Sequence, residues 1–124
     1  MGKLIYIPAD PSKPLRFLEV PSYDEDPEGK QHFQLFRQAV GGNFQIVFLK
    51  KDNLCIYCND TIRLTNYGEE DVNRRLNEFF NIAEQYQVLG DVILFQYSPS
   101  TGSEEEIPSN VISELISSYG EITE

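Results

Sequence analysis

Hydrophobic residues change their spacing several times along this chain, and each change marks an element. Leu4-Ile-Tyr-Ile7 is a short apolar run stopped by Pro8, Pro11 and Pro14, and Leu15-Arg-Phe-Leu-Glu-Val20 is a second run ended by Pro21. Proline removes a ladder donor and fixes φ, so both runs read as strands that pair through the proline-rich connection. From Gln31 the period lengthens. His32 or Phe33, Leu35, Phe36, Ala39 and Val40 fall at helical spacing, and Gly41-Gly42 supplies a left-handed stop. Phe44-Gln-Ile-Val-Phe-Leu49 and Leu54-Cys-Ile-Tyr-Cys58 are β-rich runs around an Asp52-Asn53 turn, a hairpin signal. Alternation puts Phe44, Ile46 and Phe48 on one face and Val47 and Leu49 on the other. Apolar residues on both faces predict a central strand covered on both sides, or a barrel-like curl.

A second helix is expected to start at Asn66-Tyr-Gly-Glu69, with Glu69, Glu70 and Asp71 at the positive end of its dipole. Val72, Leu76, Phe79, Phe80 and Ala83 then form the clearest amphipathic stripe in the chain. Val92-Ile-Leu-Phe-Gln-Tyr97 reads as a last, mostly buried strand, and Ser98–Glu106 as a polar loop. Val111, Ile112, Leu115, Ile116 and Tyr119 predict a C-terminal helix closed by Gly120. The expected order is β-β-α-β-β-α-β-α. That is an α+β fold, a mainly antiparallel sheet of about five strands with three helices.

Composition narrows the class. The 124 residues suit one domain, 1–124, with an ordinary core, and 40% hydrophobic content argues against disorder. No apolar run is long enough for a membrane span, and Met1-Gly2-Lys3-Leu4 leads straight to Pro8 without a signal-peptide core, so a cytoplasmic location is expected. Twenty acidic residues against ten basic ones give a net charge of −10, which disfavours direct binding to nucleic acid or an anionic membrane.

Few residues offer chemistry. Cys55 and Cys58 form a C-x-x-C, but inside a predicted strand they point to opposite faces, and a zinc site lacks ligands beyond His32. Two small buried hydrophobes are the alternative. His32, the single histidine, can pair with Glu28 one turn earlier, or simply cap and pack. Ser98, Ser100 and Ser103 cluster without a G-x-S-x-G, and neither phosphate-loop fingerprint is present. No catalytic residue, metal or cofactor is implied. Arg63, Arg74 and Arg75 with Tyr57, Asn59 and Asn66 are candidates for a cradle around a small anionic ligand, since arginine offers bidentate donors and tyrosine a stacking face. Arg74 and Arg75 can equally pair with Glu70, Asp71 and Glu78 along the helix. Asp24, Glu25, Asp26 and Glu28 form an acidic loop, a candidate surface for a protein partner.

Leu4-Ile-Tyr-Ile-Pro-Ala-Asp10, Phe36-Arg-Gln-Ala-Val-Gly-Gly-Asn-Phe-Gln-Ile46, Leu54-Cys-Ile-Tyr-Cys-Asn-Asp60 and Leu89-Gly-Asp-Val-Ile-Leu94 occur here in the order and spacing of a known pattern. Through them the chain resembles the domain-of-unknown-function family 3846 over roughly residues 4–97, with 98–124 adding an acidic loop and a helix. The resemblance implies a small single domain found in phages, other viruses and bacteria carrying mobile elements, and it assigns no catalytic residues. The expected function is a non-enzymatic phage or viral accessory protein with an anti-defence role. It would sequester a small anionic, nucleotide-type signal as a homo-oligomer, or dock on a host defence protein in the host cytoplasm. The alternative is an acidic DNA mimic that inhibits a DNA-binding host enzyme.

Overall fold

A computed structural model describes residues 3–49, 51, 53–101 and 104–124. Asp52 of the expected hairpin turn and Ser103 of the serine cluster lie outside the described residues. The strands are β1 (Lys3–Ile7), β2 (Arg16–Glu19), β3 (Phe44–Phe48), β4 (Leu54–Asn59), β5 (Val92–Tyr97) and β6 (Glu104–Glu105). The helices are α1 (Lys30–Val40), α2 (Arg74–Phe79) and α3 (Ser109–Tyr119). The sheet runs β2-β1-β5-β4-β3, with β6 pairing the end of β5, and every pairing of these strands is antiparallel. Three helices on a mainly antiparallel sheet, in the expected order, make the α+β fold that the periodicity predicts. The loop expected at Ser98–Glu106 adds β6 as a sixth strand.

Alternation along the central strands builds two cores. Val92 and Leu94 face the α2 and α3 side, packing with Leu76, Val111 and Leu115. Ile93 and Phe95 face α1, packing with Phe36 and Val40. Gly41 closes α1 at φ 82, returning its N–H to the Arg37 carbonyl. This is the left-handed stop that only glycine adopts without a Cβ penalty.

Two expectations are corrected. β3 is an edge strand, not a central one, and Phe48 is 60% exposed. Strands covered on both faces are β1, β4 and β5, because helices pack over the middle of the sheet and leave its rim. The long second helix is also broken. Glu69–Asp71 is a single 3-10 turn, Val72 is extended and bridges Leu89, and α2 is only six residues long. Asn73 is the reason. Its fully buried amide donates to the Ile7 and Gly90 carbonyls at 2.9 Å, and its Oδ1 accepts from the Leu76 N–H. These bonds tie β1 and the approach to β5 together, and they need Asn73 outside the helix as its N-cap. Gly90 sits at φ 79, a conformation in which any side chain is strained, and a Cβ there would lie 2.5 Å from Ile62 Cδ1 and push that side chain aside.

Candidate functional site

Two regions merit a chemical reading, one buried on the α1 face and one open beside β3. The buried one begins in the acidic loop. Asp26 turns inward to 6% exposure, and its Oδ2 accepts both the His32 N–H at 2.9 Å and the His32 ring at Nδ1, 2.7 Å away. A carboxylate only accepts, so the shared proton rides on Nδ1. Burial pushes the Asp26 carboxyl up, but hydrogen bonds from the His32 ring and from the His32 and Gln31 backbones outweigh it and hold it below the ordinary range.

Tyr23 stacks on the His32 ring at 4.0 Å and donates to Glu104 Oε2, while Tyr57 donates to Oε1, each at 2.6 Å. Glu104 is buried by this arrangement. Burial first, then the bond to Glu104, raises both phenols well above the usual tyrosine range. Both hydroxyls therefore remain proton donors at neutral pH.

This cluster holds a histidine with an orienting carboxylate, the first half of a nucleophilic or general-base site. The second half is not assembled. His32 Nε2 is buried and has no hydrogen-bond partner among the described residues, so none of them places a nucleophile within hydrogen-bond reach of it. The remaining polar atoms satisfy one another between the acidic loop, α1, β4 and β6. Chemically, the cluster is a clamp that fastens α1 and β6 to the sheet.

The sequence-derived sites are redistributed. His32 pairs with Asp26, while Glu28 pairs with Lys30 at the surface. Asp26 therefore leaves the proposed acidic surface, on which Asp24, Glu25 and Glu28 remain exposed. The six cradle residues are not brought together. Tyr57 lies in the α1-side core. Asn59 binds the Val40 carbonyl and the Thr61 N–H. Arg63 donates to the Gln87 carbonyl, and Asn66 is exposed. Arg74 reaches Glu69 at 3.4 Å. Arg75 is committed to the carbonyls of Pro8 and Asp10, at 2.9 and 3.1 Å. Cys55 and Cys58 are free, buried, and divided between the two cores, as strand alternation requires. Among the described residues no three His, Cys, Asp or Glu side chains converge as metal ligands. No helix among them is long and apolar enough to cross a membrane.

The open region follows from the early end of α2. Asn81 is left-handed at φ 52, and the N–H groups of Asn81 and Ile82 return to the carbonyls of Glu78 and Asn77. That is a Schellman stop with asparagine in the glycine position. The chain then doubles back, held by the Asn77 amide, which donates to the Val88 carbonyl at 3.0 Å and accepts from its N–H at 2.8 Å. Between this returning segment and β3 opens a groove of about 690 Å³. Val47, Leu49, Phe80 and Ile82 line it, with Phe48 and Tyr86 strongly exposed beside them. Lys51 is the cation in its lining, 5.5 Å above the Phe79 ring and 3.4 Å from Glu114. Sequence reading missed this groove because it took residues 66–83 as one helix. The signal was present in Asn73, Asn77 and Asn81, three weak helix formers spaced by four on the same stripe.

No curated protein and no solved structure matches the chain. A family model described as "Domain of unknown function (DUF3846)" matches residues 4–120. The match runs through α3, so the C-terminal helix belongs to the family pattern and is not an addition to it. With nearly its whole length matched, the chain is a member of the family DUF3846.

Proposed function

We propose that the protein is a non-enzymatic binding protein and that its ligand is a small molecule with a flat apolar body and one anionic group, held in the groove beside β3. The observation that carries this reading is the groove's lining. Aromatic and aliphatic walls suit a ring system, and Lys51 at their margin suits an anion. Its size lies within the range of about 300–1,000 Å³ usual for small-molecule sites. A nucleotide-type signal has this chemistry. In a phage, other virus or mobile element, its capture would withdraw that signal from a host defence, in the host cytoplasm.

Titration calorimetry with two probes, adenosine monophosphate and anilinonaphthalene sulfonate, tests the reading. Saturable binding is expected, lost in Ala83→Trp, which fills the groove, and weakened about tenfold in Lys51→Glu, the scale of one charged contact. Binding of neither probe, or binding that Ala83→Trp leaves unchanged, removes the groove as the ligand site.

A further inference from the structure

The register of β3 against β4 fixes which of its backbone groups remain free. Leu49 donates to the Leu54 carbonyl, and the Asn43 carbonyl accepts from Asp60. In an antiparallel ladder bonded positions alternate, so residues 43, 45, 47 and 49 face β4, and Phe44, Ile46 and Phe48 turn their N–H and C=O groups outward. Among the described residues no strand or isolated bridge pairs with this edge.

The same three residues share the α1 face of the sheet. Phe44 packs on Phe33 and Phe36 of α1, and Phe48 meets Tyr97 edge-on. Ile46, Phe48 and Phe33 are 39, 60 and 51% exposed, a strip along the rim that α1 does not cover. The strand Phe-Gln-Ile-Val-Phe carries no charge in a chain of net charge −10. It also has no proline and no bulge, the usual devices that protect an edge.

We infer that this edge is an interface with a second copy of the chain, β3 pairing antiparallel with β3 about a two-fold axis at Ile46. The occupant follows from self-complementarity. Centred on Ile46, the register sets Ile46 opposite its mate, Phe44 opposite Phe48, and Gln45 opposite Val47. Outward groups then meet outward groups at every bonded position, and phenylalanine meets phenylalanine at both ends. A shift by one residue would set bonded positions against non-bonded ones and lose both matches. The absence of charge lets two acidic molecules meet where like-charge repulsion is least. The two sheets become one, and the α1 helices lie on the same face with Phe33 toward the axis. From aromatic side-chain areas, the exposed strip amounts to roughly 300 Å² per copy, the apolar centre of an interface below the standard 800 Å² or so. A dimer with a Kd in the micromolar range is therefore expected.

Sedimentation and chemical cross-linking test this on the full chain. At about 0.1 mM, well above a micromolar Kd, the protein is expected to sediment at twice its 14.2 kDa. Ile46→Lys should restore the single-chain mass with an unchanged circular dichroism spectrum, since position 46 is already exposed and its N–H is not used by β4. Ile46→Cys should form a disulfide-linked dimer on mild oxidation, because facing bonded positions lie about 5.5 Å apart, within disulfide reach. A single-chain mass at that concentration overturns the inference. So does a dimer that Ile46→Lys leaves intact, which would place the contact elsewhere.

Discussion

The two edges of the sheet are treated in opposite ways. At β2 the outward groups belong to residues 15, 17 and 19, and the C-terminal tail takes the first of them. Thr123 donates to the Leu15 carbonyl and accepts from the Phe17 N–H, at 2.9 and 2.7 Å. Ile122 pins this tail into the core, and Glu19 puts a charge at the far end of the edge. At β3 nothing described covers the backbone, and the side chains are aromatic or aliphatic apart from Gln45. An edge strand is a template for pairing with another chain. One edge is therefore closed by the protein's own tail, and the other keeps its bonds and apolar surface available, next to the groove that lines the same rim.

The sharpest way to break this contrast is to undock the tail. Ile122→Ala should cost about 2–4 kcal/mol, because it removes a buried side chain and frees the tail that covers β2. Urea unfolding reads the loss. The variant should also associate more readily than wild type, and an unchanged midpoint would show that the tail does not protect this edge.

The clamp beside the open edge comes next. Tyr57 stands opposite Ile46 in the ladder, so the network around Glu104 supports β3 from one strand inside. Tyr57→Phe leaves a buried carboxylate oxygen without its donor and should cost about 1–3 kcal/mol. Because the folded phenol titrates above its unfolded value, its contribution is complete below about pH 10 and is lost as pH rises beyond that. The alkaline fall in stability should therefore be shallower in Tyr57→Phe, as followed by chemical denaturation at a series of pH values.

Asp26 has the opposite sign. Its folded carboxyl is held low, so the contribution is present above about pH 3.9 and disappears as pH falls toward the folded value. Asp26→Asn should flatten the acid limb of the stability profile. An acid limb identical to wild type would show that the Asp26–His32 pair does not anchor the loop.

The smallest stability effect is expected at the open edge. Phe48→Ser should change folding by no more than about 0.5 kcal/mol, since Phe48 is mostly exposed. A larger loss would mean that Phe48 supports its own sheet more than it serves a neighbour.

Much of this arrangement is legible from spacing alone. The runs at Leu4–Ile7, Phe44–Leu49, Leu54–Cys58 and Val92–Tyr97 become strands within a residue or so, and Gly41 and Gly120 end the helices they follow. These are local outcomes of side-chain period and of glycine's access to left-handed φ. The two-faced burial of Cys55 and Cys58 follows from the same rule of alternation, and the antiparallel pairing of β3 with β4 from the short turn between them. The candidate site was far less legible. The arginines that gather in sequence around 63–75 are consumed by backbone carbonyls and Glu69, and the acidic loop sends Asp26 inward.

What the sequence determined by itself was therefore element type, element order and fold class, because these depend on periods of two and near four that any short window displays. The tertiary structure alone decided three things: that β3 lies at the rim, that Asn73 breaks the second helix, and that Tyr23, His32, Tyr57 and Glu104 meet. Each depends on partners distant in the chain. Buried polar groups must find hydrogen bonds wherever the fold places donors and acceptors, and a strand apolar on both faces does not reveal whether helices or a neighbouring molecule will cover it.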